Sequence, residues 1–205
     1  MVVVSQHGEN STWLPDVHTS PVVVYEKIGT NRSAEHVVPN HGNEASTFLK
    51  FILDNYDCLP DKTAFVHGHR TSWHNAKPMD EILNEMNWDR AEFYKLPAAL
   101  RGKTDVARYP PDRSFDESVP VELHIFWNRW FKEKYGPVPE RVEAQCCAQF
   151  VASRQRIRLN SWDWYKEIYD WLVSEEIHSY WSGRALEYSW HIMFGEKPIE
   201  PLWKW

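Results

Sequence analysis

The first seventy residues limit the possible fold more than any other part of the chain. Val2-Val3-Val4-Ser5-Gln6, Val22-Val23-Val24-Tyr25-Glu26 and Glu35-His36-Val37-Val38 are short runs carrying β-branched residues. The first ends in His7-Gly8-Glu9-Asn10 and the third in Pro39-Asn40-His41-Gly42. Short apolar runs closed by such turn-forming clusters read as buried strands. Asn43 is then placed to cap a helix and Glu44 suits its first turn, while Phe48, Leu49, Ile52, Leu53 and Tyr56 recur at helical spacing. Leu59-Pro60-Asp61 ends that helix, and Thr63-Ala64-Phe65-Val66 delivers the chain into His67-Gly68-His69-Arg70. Three strands, a helix and a strand imply an α/β domain, with a mostly parallel central sheet and flanking helices. Ligands of such sheets gather beyond the carboxyl ends of the strands. The turns after residues 6, 26 and 66 are therefore expected to line one edge.

Beyond that point the pattern loosens. Residues 76–120 are punctuated by Pro78, Pro97, Pro110, Pro111 and Pro120, with a helix expected from Met79 to Trp88. Leu123, Phe126, Trp127, Trp130 and Phe131 recur at near-helical spacing within 121–135. Residues 145–151 read as one buried strand, Ser153 to Ile157 as a turn or helix, and 161–174 and 182–194 as two helices split by Tyr180-Trp181-Ser182-Gly183. A chain of 205 residues suits one sizeable core. The expected organisation is a single domain over 1–205, with a nucleotide-binding half (1–75) and an acceptor-binding half (121–205).

Charge and composition narrow the function classes. The formal net charge is -6 with the two signs interspersed, which argues against a nucleic-acid surface. No apolar run approaches the roughly 20 residues of a membrane span. Met1-Val2-Val3-Val4 reads as a first strand rather than a secretion signal, and is also compatible with trimming from a longer, anchored protein. Three cysteines, Cys58 and the adjacent Cys146 and Cys147, do not form a disulfide framework, and neighbours on a strand point to opposite faces. That leans towards a reducing compartment. The 12 tryptophans can build core or supply flat platforms for sugars or bases.

The chemistry-bearing residues gather at two places. His67 and His69 sit at i and i+2 around Gly68, where the backbone can approach a ligand closely. Paired imidazoles with a third donor, from His74, Asn75 or His191, make a workable metal site; local packing of one histidine is the plain alternative. Arg70 is either a phosphate clamp or a surface charge. Glu187 and His191 share one helix face at i, i+4, as a base with its orienting partner or as an anchor for the last helix. The Gly-x-Ser-x-Gly elbow, the Walker loop and the Gly-x-Gly-x-x-Gly fingerprint are all missing from the sequence.

Pro39-Asn40-His41-Gly42-Asn43-Glu44-Ala45, Phe65-Val66-His67-Gly68-His69-Arg70, Trp73-His74-Asn75, Cys146-Cys147-Ala148-Gln149-Phe150 and Leu186-Glu187-Tyr188 with Trp190-His191 resemble an uncharacterised domain family of fungi, plants and algae. The likeness spans nearly the whole chain. The order of Asn40-His41-Gly42, helix and strand is also similar, more distantly, to inverting glycosyltransferases of the GT-A fold. There, Asp-x-Asp holds a divalent metal on the nucleotide-sugar diphosphate, and His67-Gly68-His69 falls at its place. This resemblance implies transfer of a sugar from a nucleotide-diphosphate sugar to a glycan or other hydroxyl acceptor. It implies Glu187 as base, and His67, His69 and His191 as ligands of Mn²⁺ or, alternatively, Zn²⁺. Asn40, Gly42, Arg70, His74, Asn75, Arg154 and Arg184 are the expected substrate contacts, with Arg156 and Arg158 beside Arg154. Imidazoles in place of carboxylates suit a softer metal, or mark a site that has lost one. A metal-dependent hydrolase built on the histidines, and a non-catalytic carbohydrate-binding or scaffold domain, are the alternatives. Such a domain could work in the cytosol, or in a Golgi lumen once cut from an anchor.

Overall fold

The computed structural model describes residues 1–29, 35–97, 104–108, 118–145, 147–174 and 178–199. Its main sheet has the order β3-β2-β1-β4-β8-β5, from β1 (Val2–Gln6), β2 (Val22–Lys27), β3 (Val37–Val38), β4 (Lys62–His67), β5 (Phe93–Lys95) and β8 (Phe150–Ser153). Strands β6 (Thr104–Arg108) and β7 (Arg141–Gln145) form a separate antiparallel ribbon. The helices are α1 (Ala45–Asn55), α2 (Met79–Glu85), α3 (Ser118–Phe126), α4 (Lys132–Tyr135), α5 (Arg154–Ile157), α6 (Trp162–Val173), α7 (Ser179–Glu187) and α8 (Trp190–Met193). Among the described residues no helix is long and apolar enough to cross a membrane.

β1 lies between β2 and β4, parallel to both, with Val2 level with Val22 on one side and Ala64 on the other. Because side chains alternate along a strand, the sheet has two apolar faces. Val3, Tyr25, Phe65 and Phe150 join α1, α6, α7 and α8 in the larger core. Val2, Val4, Ala64, Val66 and Val151 meet Trp13 and the Met79, Ile82 and Leu83 side chains of α2 on the other face. The expectation of a mostly parallel sheet is corrected. β8 runs antiparallel to β4 and to β5, so the sheet is mixed. A strand buried on both faces shows the same apolar run whichever way it points, so its direction is not visible in its own residues.

Several local expectations also shift. The run expected as one strand over 145–151 is broken, because Cys147 (φ 87) and Ala148 (φ 37) take left-handed backbone conformations between β7 and β8. Cys58 is free and Cys147 is disulfide-bonded. Cys146, and with it the expectation about the vicinal pair, lies outside the described residues. Between α3 and α4, Trp127–Phe131 form a π-helical turn that buries Trp127, Trp130 and Phe131. Of the described tryptophans, Trp13, Trp127, Trp130, Trp171 and Trp190 are core residues.

Candidate functional site

The strand order defines where a ligand belongs. From β1 the chain steps outward to β2 and β3, then returns through α1 to β4 on the other side of β1. Neighbouring connections therefore diverge beyond the carboxyl ends of β1 and β4, which is where open α/β sheets bind ligands. The two strands end level, with Ser5 paired to His67. Past β1, Gln6 Nε2 donates to Glu9 O at 3.0 Å, and the Glu9 carboxylate accepts from His7 N–H. Past β4, Gly68 brings its backbone against Glu9: a Cβ there would stand 2.8 Å from Glu9 Oε2. Trp13 Nε1 donates to Gly68 O at 3.0 Å and so pins the turn from the far face.

Three further segments close on this crevice. Gly42 (φ 67) and Asn43 (φ 53) both take left-handed conformations, so the chain turns sharply into α1. Glu44, not Asn43, is the residue at the N-cap, and its side chain makes no capping bond. Its carboxylate reaches His67 instead, with Oε2 3.8 Å from His67 Nε2. α7 packs against the same loop: Ser179 Oγ accepts from Gly42 N–H at 2.7 Å, and a Cβ on Gly183 would sit 2.6 Å from Asn43 Nδ2. The end of α7 carries Glu187, which accepts from Cys147 N–H (3.0 Å) on one oxygen and from Arg184 Nη1 (2.6 Å) on the other. At the end of β2, Lys27 Nζ donates to Asn43 O (2.6 Å) and Ser46 Oγ (2.5 Å).

Burial dominates the electrostatics of this group. It lifts the Glu44 carboxyl to about 7, helped by the like charge of Glu187, while Lys27 and Arg184 pull the other way. It lowers Lys27 to about 8, against the pull of Glu44 and Glu9. The His67 and His74 imidazoles are each pushed down to about 4, chiefly by burial, and are neutral at pH 7. Their rings meet edge to face at 5.3 Å. His67 Nε2, His74 Nε2 and Asn75 Nδ2 are buried and lack a hydrogen-bond partner. Gln149 connects the strands beneath: its Oε1 accepts from His67 N–H (3.2 Å) and its Nε2 donates to Asn75 Oδ1 (2.8 Å). Trp73, 70% exposed, stands edge to face with His74 at 5.2 Å. Buried polar groups are almost always satisfied, so neighbouring orphans beside an exposed aromatic ring suit a hydroxyl-bearing ligand.

The structure brings His67, His74, Asn75 and Glu187 into this group and sends other expected residues elsewhere. His69 pairs with Glu9, with Nε2 3.5 Å from Glu9 Oε1, and still lies close enough to His67 to act on its charge. Asn40 Nδ2 lies 3.1 Å from His7 Nε2 at the exposed rim. Gly42 supplies the turn and the contact with α7. Arg70 forks onto Asp80 through two 3.0 Å bonds and so fastens α2. Arg154 sits at the opposite edge of the sheet, because β8 runs back towards the start of β4: its Nε donates to Leu59 O (2.7 Å) and Nη2 pairs with Asp61 (2.9 Å). Arg156 and Arg158 hold backbone carbonyls of Phe194, Tyr56 and Asp57. His191 is fully buried in α8, pushed down to about 3 by burial, with Nε2 3.2 Å from Pro198 O. Among the described residues no three His, Cys, Asp or Glu side chains converge on a metal-sized site. Glu44, Lys27, Glu9 and Trp73 were not singled out as site residues by sequence reasoning. The expectation that the turns after residues 6 and 26 line one edge points towards Glu9 and Lys27, and the family-resemblance motifs include Glu44 and Trp73.

No curated protein and no solved structure matches this chain. A family model described as "Protein of unknown function (DUF3431)" matches residues 1–201.

Proposed function

We propose that this chain, which belongs to the DUF3431 family, transfers a sugar from a nucleotide-diphosphate sugar to a hydroxyl acceptor. The observation that carries this reading is the convergence at the β1–β4 crevice of Glu44, Glu187, Lys27, Arg184, His67 and His74. Sugar transfer calls for a carboxylate near the acceptor hydroxyl, cations facing the departing diphosphate, and polar groups and a flat ring for the sugars. Each has a counterpart here. Lys27 and Arg184 oppose the charge that grows on the diphosphate. The orphaned nitrogens of His67, His74 and Asn75 suit sugar hydroxyls, and Trp73 offers an exposed ring.

The GT-A resemblance also implies a divalent cation at residues 67–69. The donor set does not fit one: His67 faces Glu44 and His74, His69 faces Glu9, and His191 faces Pro198. The three histidines therefore do not converge on one cation, and a hydrolase built on them loses its ligand set.

The test is thermal unfolding with a panel of uridine and guanosine diphosphate sugars. A ligand that binds only the folded state at a hundredfold excess over Kd adds about 2.7 kcal/mol of stability. We expect one donor to raise the midpoint and to release its nucleoside diphosphate on incubation. If no donor raises it, the reading is lost.

A further inference from the structure

Resting on the transfer reading, we infer that Glu44 is the base that takes the acceptor's proton, and that Glu187 is a positioning residue. The two carboxylates of the crevice are not equivalent. Both Glu187 oxygens are occupied, one by Cys147 N–H and the other by Arg184. Freeing an oxygen of Glu187 to meet an acceptor hydroxyl would break its bond to Cys147 N–H or its pairing with Arg184. Glu44 stands at the N-cap of α1 without capping it, with Oε2 directed at His67 Nε2 across 3.8 Å. That separation exceeds a hydrogen bond, and both groups are largely buried. The orphaned His67 nitrogen faces it, with the His74 ring edge to face against His67, so a hydroxyl held by the His67 nitrogen would lie within reach of Glu44.

The groups facing Glu44 come from every element around it: Lys27 from β2, His67 from β4, and Glu187 and Arg184 from α7. Burial with a like charge nearby holds its proton affinity close to neutrality, where a base is most effective. In the step itself the acceptor O–H bond breaks and its proton passes to Glu44. The acceptor oxygen forms a bond to the anomeric carbon. The bond from that carbon to the diphosphate oxygen breaks, and its electron pair leaves on the nucleoside diphosphate. Glu44 then releases the proton to solvent.

The experiment follows nucleoside diphosphate release from the donor that raises the thermal midpoint, with water and methyl glycosides as acceptors, between pH 5 and 9. The wild-type rate should climb about tenfold per pH unit and level off near pH 7. Glu44→Gln should keep the donor-induced midpoint rise and lose at least about 100-fold in kcat, with partial recovery in Glu44→Asp. Glu187→Gln should keep the climbing limb but move its midpoint to lower pH, because the like charge that raises Glu44 is gone. A flat wild-type profile, a Glu44→Gln rate within about threefold of wild type, or a limb lost only in Glu187→Gln would overturn the assignment. If Glu44→Gln does not fold, the wild-type profile and Glu44→Asp decide the matter. A wild-type chain that binds no donor defeats the transfer reading and this assignment with it. Binding with pH-independent release defeats this assignment alone.

Discussion

At the scale of single residues, the crevice sets two opposing pH dependences. Glu44 has a raised folded-state pKa of about 7, so its proton is held more tightly in the folded chain than in the unfolded one. The stability it contributes is present below the ordinary carboxyl range and is lost as pH rises through about 7. His67, His74 and His191 are depressed to about 4, 4 and 3, so their contribution is present above their ordinary pKa and lost as pH falls towards those values. Three imidazoles outweigh one carboxyl throughout the range in which they titrate. Stability should therefore rise from pH 4 and level off near pH 7, with Glu44 reducing the gain. Urea unfolding at a series of pH values checks this, and Glu44→Gln should steepen the rise below pH 7. An unchanged rise in that variant would mean that Glu44 is not the titrating group. Trp73→Ala gives a complementary prediction. The ring is 70% exposed, so its loss should leave the unfolding midpoint nearly unchanged while weakening donor binding by about 0.5–1.5 kcal/mol. Equal donor affinity in the variant would remove Trp73 from the site. His67 was legible in the sequence because it ends a buried strand. Glu44 was not, because an acidic residue in a first helical turn already has a sufficient explanation in the helix dipole.

At the scale of elements, the site depends on α1 and α7 meeting at one loop. Gly42 combines a left-handed backbone (φ 67) with a position where a Cβ would stand 2.4 Å from Leu172 Cδ1 of α6. Gly42→Ala should cost about 1–2 kcal/mol for the backbone conformation and about 1–3 kcal/mol for overpacking. Adding Leu172→Ala should recover the overpacking part only, because the φ penalty stays. A double-mutant cycle from urea midpoints reads this directly, and strictly additive effects would show that the two residues do not meet. The same loop shows where pattern reading stopped. The helical periodicity of α1 and α6 was plain, and the two serine caps, Ser153 and Ser161, behave as their residue type suggests. Tyr180-Trp181-Ser182-Gly183 reads as a break between helices, yet it lies inside α7. Gly183 is there for the close approach to Asn43, a tertiary reason that leaves no mark on local propensity.

For the molecule as a whole, the first four strands and their order of appearance were legible. The direction of β8 was not, and that one reversal relocates a candidate binding group. Ser153 pairs with Lys62, so Arg154 emerges beside Asp61 at the start of β4, remote from the carboxyl ends that form the crevice. Arg154→Ala should therefore loosen the Leu59–Asp61 turn without changing donor affinity. The same topology keeps His191 apart from His67 and His69, with which the GT-A analogy groups it. His67 ends β4 facing Glu44, His69 follows the bend at Gly68 towards Glu9, and His191 is sealed in α8 against Pro198. A hard divalent cation needs several oxygen donors within one small shell, and a softer one needs three or four converging ligands. Among the described residues no such shell forms. On the proposed transfer reading, the charge on the diphosphate falls to Lys27 and Arg184, which the fold already holds at the crevice. It follows that the donor-induced rise in unfolding midpoint should be the same in excess EDTA as in Mn²⁺, and that Arg184→Gln should reduce it in both. If EDTA abolished the rise and Mn²⁺ restored it, His67 and His69 would have to move together on binding, and the acid–base assignment of Glu44 would have to be rebuilt around that cation.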